Sequence, residues 1–297
     1  MRCILALAAL ALTPPVHAQR DSTALTGYEV LAAFDDARRL AIDARDRLYV
    51  VDKGRESVLQ LDLDGREVAR LGGPGGSDGE FDEPLDIDPG IGLTWLVADA
   101  GNARLQRFSQ SFLHLETLAV PREARLEPGT PGRLEPRDDQ IEGGRPLAVA
   151  QSPTGEVFAI EGAQGLVLKW DKSRRLERTI GGFGQGALVA PVALDVDTDQ
   201  LYVADRGLRA IALYDLFGGY IQTIARGQAE DASAVTLDGD KLWLILPSRI
   251  LVMETTGRYL YTLQVKDGLH LVDAAPHGSA VYLLTRTALI RARTSPK

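Results

Sequence analysis

A short apolar segment recurs six times along the chain, and this recurrence limits the possible folds more than any other feature. Each copy holds five residues, is rich in β-branched and aromatic side chains, and is too short for a helix. The copies end at Asp52, Asp99, Glu161, Asp205, Leu246 and Thr285, so consecutive ends are separated by 47, 62, 44, 41 and 39 residues. A repeat of this length is typical of an array of similar structural units.

Each copy has the same neighbours. Another apolar strand precedes it, as in Leu40–Asp43, and a turn rich in Asp, Gly or Pro separates the two. A third and a fourth strand follow, as in Val58–Leu63 and Val68–Leu71. Four antiparallel strands repeated around an axis form a β-propeller. The sequence therefore predicts an all-β, six-bladed β-propeller of four-stranded antiparallel blades.

The last repeat lacks its fourth strand, since Ala288–Thr294 reads as a third strand and the chain ends soon after. A spare strand, Tyr28–Phe34, precedes the first repeat. We predict that this N-terminal strand completes the last blade and closes the ring, which would hide sheet edges that otherwise favour aggregation.

Residues 1–18 have the features of a secretory signal peptide. Arg2 precedes the apolar run Ile4–Leu12, and Val16 and Ala18 stand three and one positions before the predicted cut. The only cysteine, Cys3, lies within this segment and not at the cut, so neither lipid attachment nor a disulfide is expected. We therefore predict a secreted or periplasmic protein whose residues 19–297 form one propeller domain.

The charge of the chain makes some partners unfavourable. The formal net charge is −8, from 33 basic and 41 acidic residues. Nonspecific binding to nucleic acid or to an anionic membrane needs clustered cations, so nucleic acid is not an expected partner. No apolar run reaches the roughly 18 residues of a membrane-spanning helix, so we expect no membrane span.

Two stretches resemble NHL repeats: 71–84, LGGPGGSDGEFDEP, is similar to the linker between such repeats, and 95–108, WLVADAGNARLQRF, to the repeat body. Val50–Gly54 and Val203–Gly207 are weaker copies, and the motif is lost in the last two repeats, where Leu246 and Thr285 replace the acidic residue. The resemblance implies a recognition scaffold that contacts proteins or, in some animal members, RNA. Related six-bladed rings include metal-dependent enzymes, so the fold alone does not assign a function.

The candidate binding residues lie at the ends of the second strands or in the turns that follow, all on one face of the predicted ring. They are Asp52, Arg55, Asp99, Asn102, Arg104, Glu161, Asp205, Arg206 and Arg209. A carboxylate in an Asp-x-Gly turn can instead accept backbone N–H groups and pair with a turn arginine such as Arg55, Arg104 or Arg209. The residues are therefore either structural or part of a recognition surface.

The step of 62 residues marks an insertion at about 119–145. The segment contains Pro121, Pro128, Pro131 and Pro136 and many charges, so it cannot be a core strand. It is either a solvated linker or a loop shaped for a partner, because long loops in compact domains are uncommon unless functional or disordered.

Metal catalysis is the alternative to binding. Outside residues 1–18 only His114, His270 and His277 remain, and their positions make a site of several imidazoles improbable. A lactonase-like site would use oxygen ligands that face the channel and bind a Ca²⁺ ion. The acidic residues near the starts of the first strands are Asp36, Glu83, Asp86, Asp231 and Asp273, of which Asp86 and Asp273 are the candidates, and a surface or turn role is the alternative for each. No catalytic residue stands in a recognisable motif, and no cofactor other than this possible Ca²⁺ is predicted.

The leading hypothesis is therefore an exported, non-enzymatic propeller that binds a protein or another macromolecule through its loop-rich face. The alternative is a metal-dependent hydrolase or lactonase at the mouth of the central channel.

Overall fold

The computed structural model describes residues 22–90, 93–122, 125–126, 134–135 and 143–294. The predicted signal peptide, residues 1–18, lies outside these ranges. The described residues form β-strands, with a single 3-10 turn at Lys53–Arg55, and none of them forms a helix that could cross a membrane. The first strand is β1 (Ser22–Ala33), and its partners are far along the chain.

The next eight strands form two sheets. In each sheet four consecutive strands pair with their neighbours in antiparallel register. The strands are β2 (Ala37–Ile42), β3 (Leu48–Asp52), β4 (Ser57–Leu61) and β5 (Glu67–Gly72), then β6 (Pro84–Asp88), β7 (Thr94–Asp99), β8 (Arg104–Ser109) and β9 (His114–Ala119).

The predicted insertion leaves the ring after β9 and returns to it at almost the same place. Pro121 forms an isolated antiparallel bridge with Gly143, and the Gly144 N–H donates to the carbonyl of Val120 at 2.7 Å. Two short strands, β10 (Arg125–Leu126) and β11 (Leu134–Glu135), pair with each other in antiparallel register. The other residues of 123–142 lie outside the described ranges.

Two more four-stranded antiparallel sheets follow. Their strands are β12 (Pro146–Gln151), β13 (Val157–Glu161), β14 (Leu166–Trp170) and β15 (Leu176–Ile180), then β16 (Pro191–Val196), β17 (Gln200–Asp205), β18 (Ala210–Asp215) and β19 (Tyr220–Ile224). β11 lies against β15, so the insertion also contacts the outer strand of the following sheet.

The remaining strands form one larger sheet of eight strands. They are β20 (Ala234–Asp238), β21 (Lys241–Leu246), β22 (Arg249–Glu254), β23 (Tyr259–Gln264), β24 (Leu271–His277), β25 (Ala280–Thr285) and β26 (Ala288–Thr294), together with β1. The order across the sheet is β20-β21-β22-β23-β1-β26-β25-β24.

β1 joins the two ends of the chain. From Leu25 to Ala33 it pairs antiparallel with β26, so the predicted N-terminal strand does lie beside the last strand of the chain. The strand begins at Ser22, six residues before the predicted start at Tyr28, because Ser22–Ala24 also pair in parallel with Thr262–Gln264 of β23. Phe34, the predicted end, lies just outside the strand, and its side chain is buried.

The core lies between neighbouring sheets. The second strand of each antiparallel set is almost wholly buried, as in β3, whose five residues are all inaccessible to solvent. Tyr49 and Val51 of β3 pack against Ile87, Trp95 and Val97 of the adjacent sheet. Burial on both faces explains why the sequence shows continuous apolar runs where a half-exposed strand would alternate.

Candidate functional site

The antiparallel topology separates the connections onto two faces. The turns between first and second strands, and those between third and fourth strands, lie on one face, which we call the turn face. The turns between second and third strands and the connections between sheets lie on the opposite face, which we call the loop face. The candidate binding residues and the insertion belong to the loop face.

The acidic ends of the second strands have a common structural role on this face. Asp52, Asp99, Glu161 and Asp205 are buried, and each carboxylate accepts N–H groups from the connection that enters the same sheet. Asp205, for example, accepts the N–H groups of Val189 at 2.7 Å and Ala190 at 3.0 Å. Because these four carboxylates are buried and already accept hydrogen bonds from the backbone, they are not available to a ligand at the surface.

The glycine of each Asp-x-Gly turn permits the same close approach. An added Cβ at Gly101 would lie 2.4 Å from the side chain of Asp82, and one at Gly207 would lie 2.5 Å from Val189. An added Cβ at Gly54 would likewise lie 2.7 Å from the side chain of Asp35. The glycine is therefore needed because the incoming connection crosses directly over the turn.

Asn102 and Arg104 hold the glycine-rich connection of the NHL-like stretch. The Asn102 amide donates to the carbonyl of Gly75 at 2.8 Å and to Asp99 at 2.9 Å. The Arg104 guanidinium donates to Asp99 at 2.7 Å and to the carbonyls of Gly76 and Ser77. These hydrogen bonds give both side chains a structural role, and a role in binding a partner stays a prediction.

The other arginines of the candidate set differ in their partners. Arg55 forms a two-pronged contact with Asp35, with both bonds at 3.0 Å, and lies 3.5 Å from Asp52. Arg206 donates to the carbonyl of Ala232 at 2.7 Å. Arg209 does not pair with its turn carboxylate Asp205 as the sequence suggested, but with Glu230 at 2.7 Å. Its side chain is 55% exposed, so Arg209 is open to a partner.

A charged cluster on the loop face links three sheets. Glu83 accepts hydrogen bonds from Lys53, at 2.5 Å, and from Arg145. These two cations lower the pKa of Glu83 to about 2. Lys53 follows β3, Glu83 precedes β6 and Arg145 precedes β12, so the cluster joins connections from successive sheets.

The central channel contains a second charged cluster, built on the first strands. Arg39, Asp86 and Asp273 each follow a register shift at the start of a first strand, so they occupy equivalent positions in β2, β6 and β24. The Arg39 guanidinium lies 2.6 Å from Asp86 and 3.7 Å from Asp273. The two residues predicted as calcium ligands are therefore brought together, but an arginine lies between them.

Two further carboxylates, those of Asp88 on β6 and Asp195 on β16, lie in the channel. Each stands two residues after the strand position that is equivalent to Arg39. Asp88 and Asp195 form no ion pair with any lysine, arginine or histidine among the described residues. Burial raises the pKa of Asp88 to about 6 and that of Asp195 to about 7. Burial also raises the pKa of Asp273 to about 6, against the opposing charge of Arg39.

These aspartates also connect adjacent sheets through the backbone. Asp86 accepts the N–H of Val149 at 2.8 Å, Asp195 that of Leu237 at 2.7 Å, and Asp273 that of Leu40 at 2.9 Å. In each case the donor belongs to the first strand of the next sheet. The described first strands of neighbouring sheets do not pair with one another. The carboxylates therefore satisfy N–H groups that would otherwise be unpaired.

The channel widens into a cavity of about 680 Å³. Its lining runs from Arg39, Asp86 and Asp273 to the turns that include Asp46, Gly239 and His277. The cavity therefore opens toward the turn face, opposite to the predicted recognition surface.

The histidines lie apart from one another in the described structure. His114 is 3.3 Å from Asp78, and His277 is 3.6 Å from Asp46. Among the residues that the structure describes, no group of three or more His, Cys, Asp or Glu side chains is arranged to hold a metal ion. Trp95, Trp170 and Trp243 are buried in strands.

Sequence reasoning identified Asp86 and Asp273 but missed Arg39, Asp88 and Asp195. The sequence does contain a feature that could have identified two of them, namely an aspartate within or directly after the apolar run of a first strand. Asp88 lies in the run Leu85–Asp88, and Asp195 directly follows the run Val192–Leu194. Their convergence depends on the register shift at the start of each first strand, which the sequence does not reveal.

Comparison with solved structures shows a β-propeller fold. Virginiamycin B lyase from Staphylococcus aureus is 13% identical, with a TM-score of 0.61 and coverage of 88% of this chain and 80% of the lyase. The luciferin-regenerating enzyme is 13% identical, with a TM-score of 0.62 and coverage of 91% and 95%. The WD40 repeats of RRP9 are 11% identical, with a TM-score of 0.64 and coverage of 93% and 100%.

These neighbours include enzymes and a WD40 protein, so they show the fold and leave the activity open. No protein-family model matches the chain, and no curated protein matches it.

Proposed function

We propose that the chain is an exported, six-bladed, NHL-like β-propeller that binds a protein or another macromolecule through its loop face. The features that support export are those of residues 1–18: Arg2, the apolar run and the small residues before the predicted cut. A mature chain with no cysteine is compatible with folding outside the cytoplasm without any disulfide.

The number of blades is six if the eight-stranded sheet is divided between β23 and β1. These two strands pair through only three residues each and in parallel, whereas every other pair in that sheet is antiparallel. The division leaves β20–β23 as one blade and β24, β25, β26 and β1 as the last. Tyr282 and Leu284 of β25 pack against Leu48 and Val50 of β3, which supports a ring in which the last blade meets the first.

The NHL-like character is supported by the role of the matching residues. Asn102 and Arg104 of the repeat body donate hydrogen bonds both to Asp99 and to the glycine-rich linker. The same residues therefore stabilise the turn after β7 and the connection between β5 and β6. Asp52 and Asp205 fasten their own connections in the same way.

The observation that carries the binding proposal is an apolar site on the loop face beside the insertion. The connection from β15 to β16 contains Phe183, which is 90% exposed, and Val189, which is 65% exposed. β11 of the insertion lies against β15, which ends three residues before Phe183. An exposed aromatic residue on a glycine-rich connection is the type of side chain that becomes a central contact when a partner buries it.

The hydrolase alternative receives no such support. The guanidinium of Arg39 lies between Asp86 and Asp273, where a Ca²⁺ ion would have to bind, and a second cation at this distance would be repelled. We therefore do not propose catalysis at the channel.

The test is site-specific cross-linking in the native cell envelope. A photoreactive amino acid at position 183 is expected to give a discrete cross-linked partner that mass spectrometry identifies. The same substitution at Phe217, which is 72% exposed but lies on the turn face, is the matched control and should give none.

A second variant examines the insertion. Replacing residues 122–142 by two glycines should preserve the fold, because Pro121 and Gly143 already form a bridge. Thermal melting should therefore change little, while the cross-link at position 183 is lost. An equal yield from positions 183 and 217, or no cross-link at either, would contradict the proposal.

A further inference from the structure

The cavity on the turn face has the size and lining of a small-molecule site. Its volume of about 680 Å³ lies within the roughly 300–1,000 Å³ that is usual for ligand pockets. Part of its wall is apolar and comes from the first strands of several sheets, including Ala41, Val149, Leu194 and Leu237. This wall suits an aliphatic chain better than a bare ion.

The polar part of the lining is strongly negative. Seven aspartates line the cavity, against one arginine and one histidine. They are Asp43, Asp46, Asp86, Asp88, Asp195, Asp238 and Asp273. The arginine, Arg39, is already engaged by Asp86 and Asp273, and the histidine, His277, lies beside Asp46. The cavity therefore holds more negative charge than its own cations can balance.

Asp88 and Asp195 are two cavity carboxylates that form no ion pair with a lysine, arginine or histidine of the described residues, and both are fully inside the channel. Each accepts backbone N–H groups, from Gly90 and Gln151 in one case and from Val196 and Leu237 in the other. Burial nevertheless raises the pKa of both carboxyl groups, which indicates that these N–H groups do not offset the cost of the charge. A ligand that brings a positive charge into the cavity would remove that cost.

We propose that this cavity binds a free aliphatic amine, with its ammonium group beside Asp195 and Asp88 and its alkyl chain along the apolar wall. A metal ion fits less well, because the cavity is far larger than an ion and Arg39 already lies between two of the carboxylates. The proposal is independent of the loop face, since the cavity opens on the other side of the ring.

The test is calorimetric titration of the full mature chain with 1,5-diaminopentane at pH 8 and low salt. Saturable binding of one diamine per chain is expected. 1,5-Pentanediol, which has the same length and no charge, is expected to show no binding. Absence of saturable diamine binding at millimolar concentration would overturn the proposal, and so would equal binding of the diol.

Three variants locate the site. Asp195→Asn should weaken diamine binding at least tenfold. Thr236→Phe keeps all seven aspartates but fills part of the cavity, and it should also abolish binding, so the test does not depend on one carboxylate. Asp240→Asn removes a charge from the same face but outside the cavity lining, and its affinity should equal that of the unmodified chain.

Equal weakening by Asp240→Asn and Asp195→Asn would overturn the proposal, because it would show attraction to the general negative charge of the face. Unchanged affinity in both Asp195→Asn and Thr236→Phe would overturn it as well.

Discussion

Asp195 shows how strongly position in the ring changes the chemistry of a single residue. Aspartates at the chain's exposed turns face water, whereas Asp195 lies in the channel, and burial raises its pKa from 3.8 to about 7. Asp88 and Asp273 are affected in the same direction, and the pKa of each is about 6. In the folded chain these groups therefore hold protons at a pH where the unfolded chain has released them.

This difference predicts how stability changes with pH. Between pH 4 and pH 7 the folded state binds more protons than the unfolded state, so the free energy of unfolding falls as pH rises through this range. We expect the melting temperature to be several degrees higher at pH 5 than at pH 8. Glu83, whose pKa is lowered to about 2, contributes in the opposite sense below about pH 4.5, which is below both pH 5 and pH 8.

Calorimetric melting at the two pH values measures the effect, and Asp195→Asn is the informative variant. It removes the group with the highest of these pKa values, so its melting temperature should depend less on pH and should rise at pH 8. A melting temperature that is higher at pH 8 than at pH 5 in the unmodified chain would show that the channel carboxylates ionise at their usual pKa.

At the scale of elements, the first strands are joined by side chains where the backbone cannot pair. Arg39 of β2 connects to Asp86 of β6 and to Asp273 of β24, and each aspartate also holds an N–H of the next first strand. Carboxylates and one guanidinium therefore link β2 to β6, β6 to β12, β16 to β20 and β24 to β2.

Removing the guanidinium should be costly. Arg39→Met would leave Asp86 and Asp273 buried without their cation, and such a loss typically costs about 3–5 kcal/mol of unfolding free energy. Urea denaturation measures the change. The triple variant Arg39→Met, Asp86→Asn, Asp273→Asn should recover most of the loss, because no unpaired charge remains. A triple variant as unstable as the single one would show that Arg39 acts through packing and not through charge.

The elements were predictable to different degrees. The second strands, such as Leu48–Asp52, were found because burial on both faces leaves an unbroken apolar run that ends in a turn. The start of β1 was missed because Ser22–Ala24 gain their partners from β23, about 240 residues away, and carry no apolar pattern of their own. The channel residues were missed for a related reason, since the partners of Arg39, which are Asp86 and Asp273, lie on first strands of other sheets and no local pattern reveals the pairing.

At the scale of the whole molecule, the two faces of the ring differ in what they offer a ligand. The loop face carries the insertion and the exposed Phe183, but most of its charged side chains already fasten connections. The turn face holds the mouth of an acidic cavity. Sequence analysis pointed to the loop face because its motifs repeat there, and it could not reveal a cavity whose walls come from six separate strands.

All of these assignments depend on β1 pairing with β26 to close the ring. The most direct measurement is disulfide formation in the double variant Glu29→Cys, Arg291→Cys, whose two positions are register partners. The only native cysteine, Cys3, lies in the predicted signal peptide, so in a variant expressed from residue 19 the intact mass under non-reducing conditions reports the bond without ambiguity. We expect an intramolecular disulfide in nearly every chain and a higher melting temperature than that of the reduced form. Free thiols, or disulfides only between chains, would show that β1 does not lie beside β26 and would contradict the closed ring.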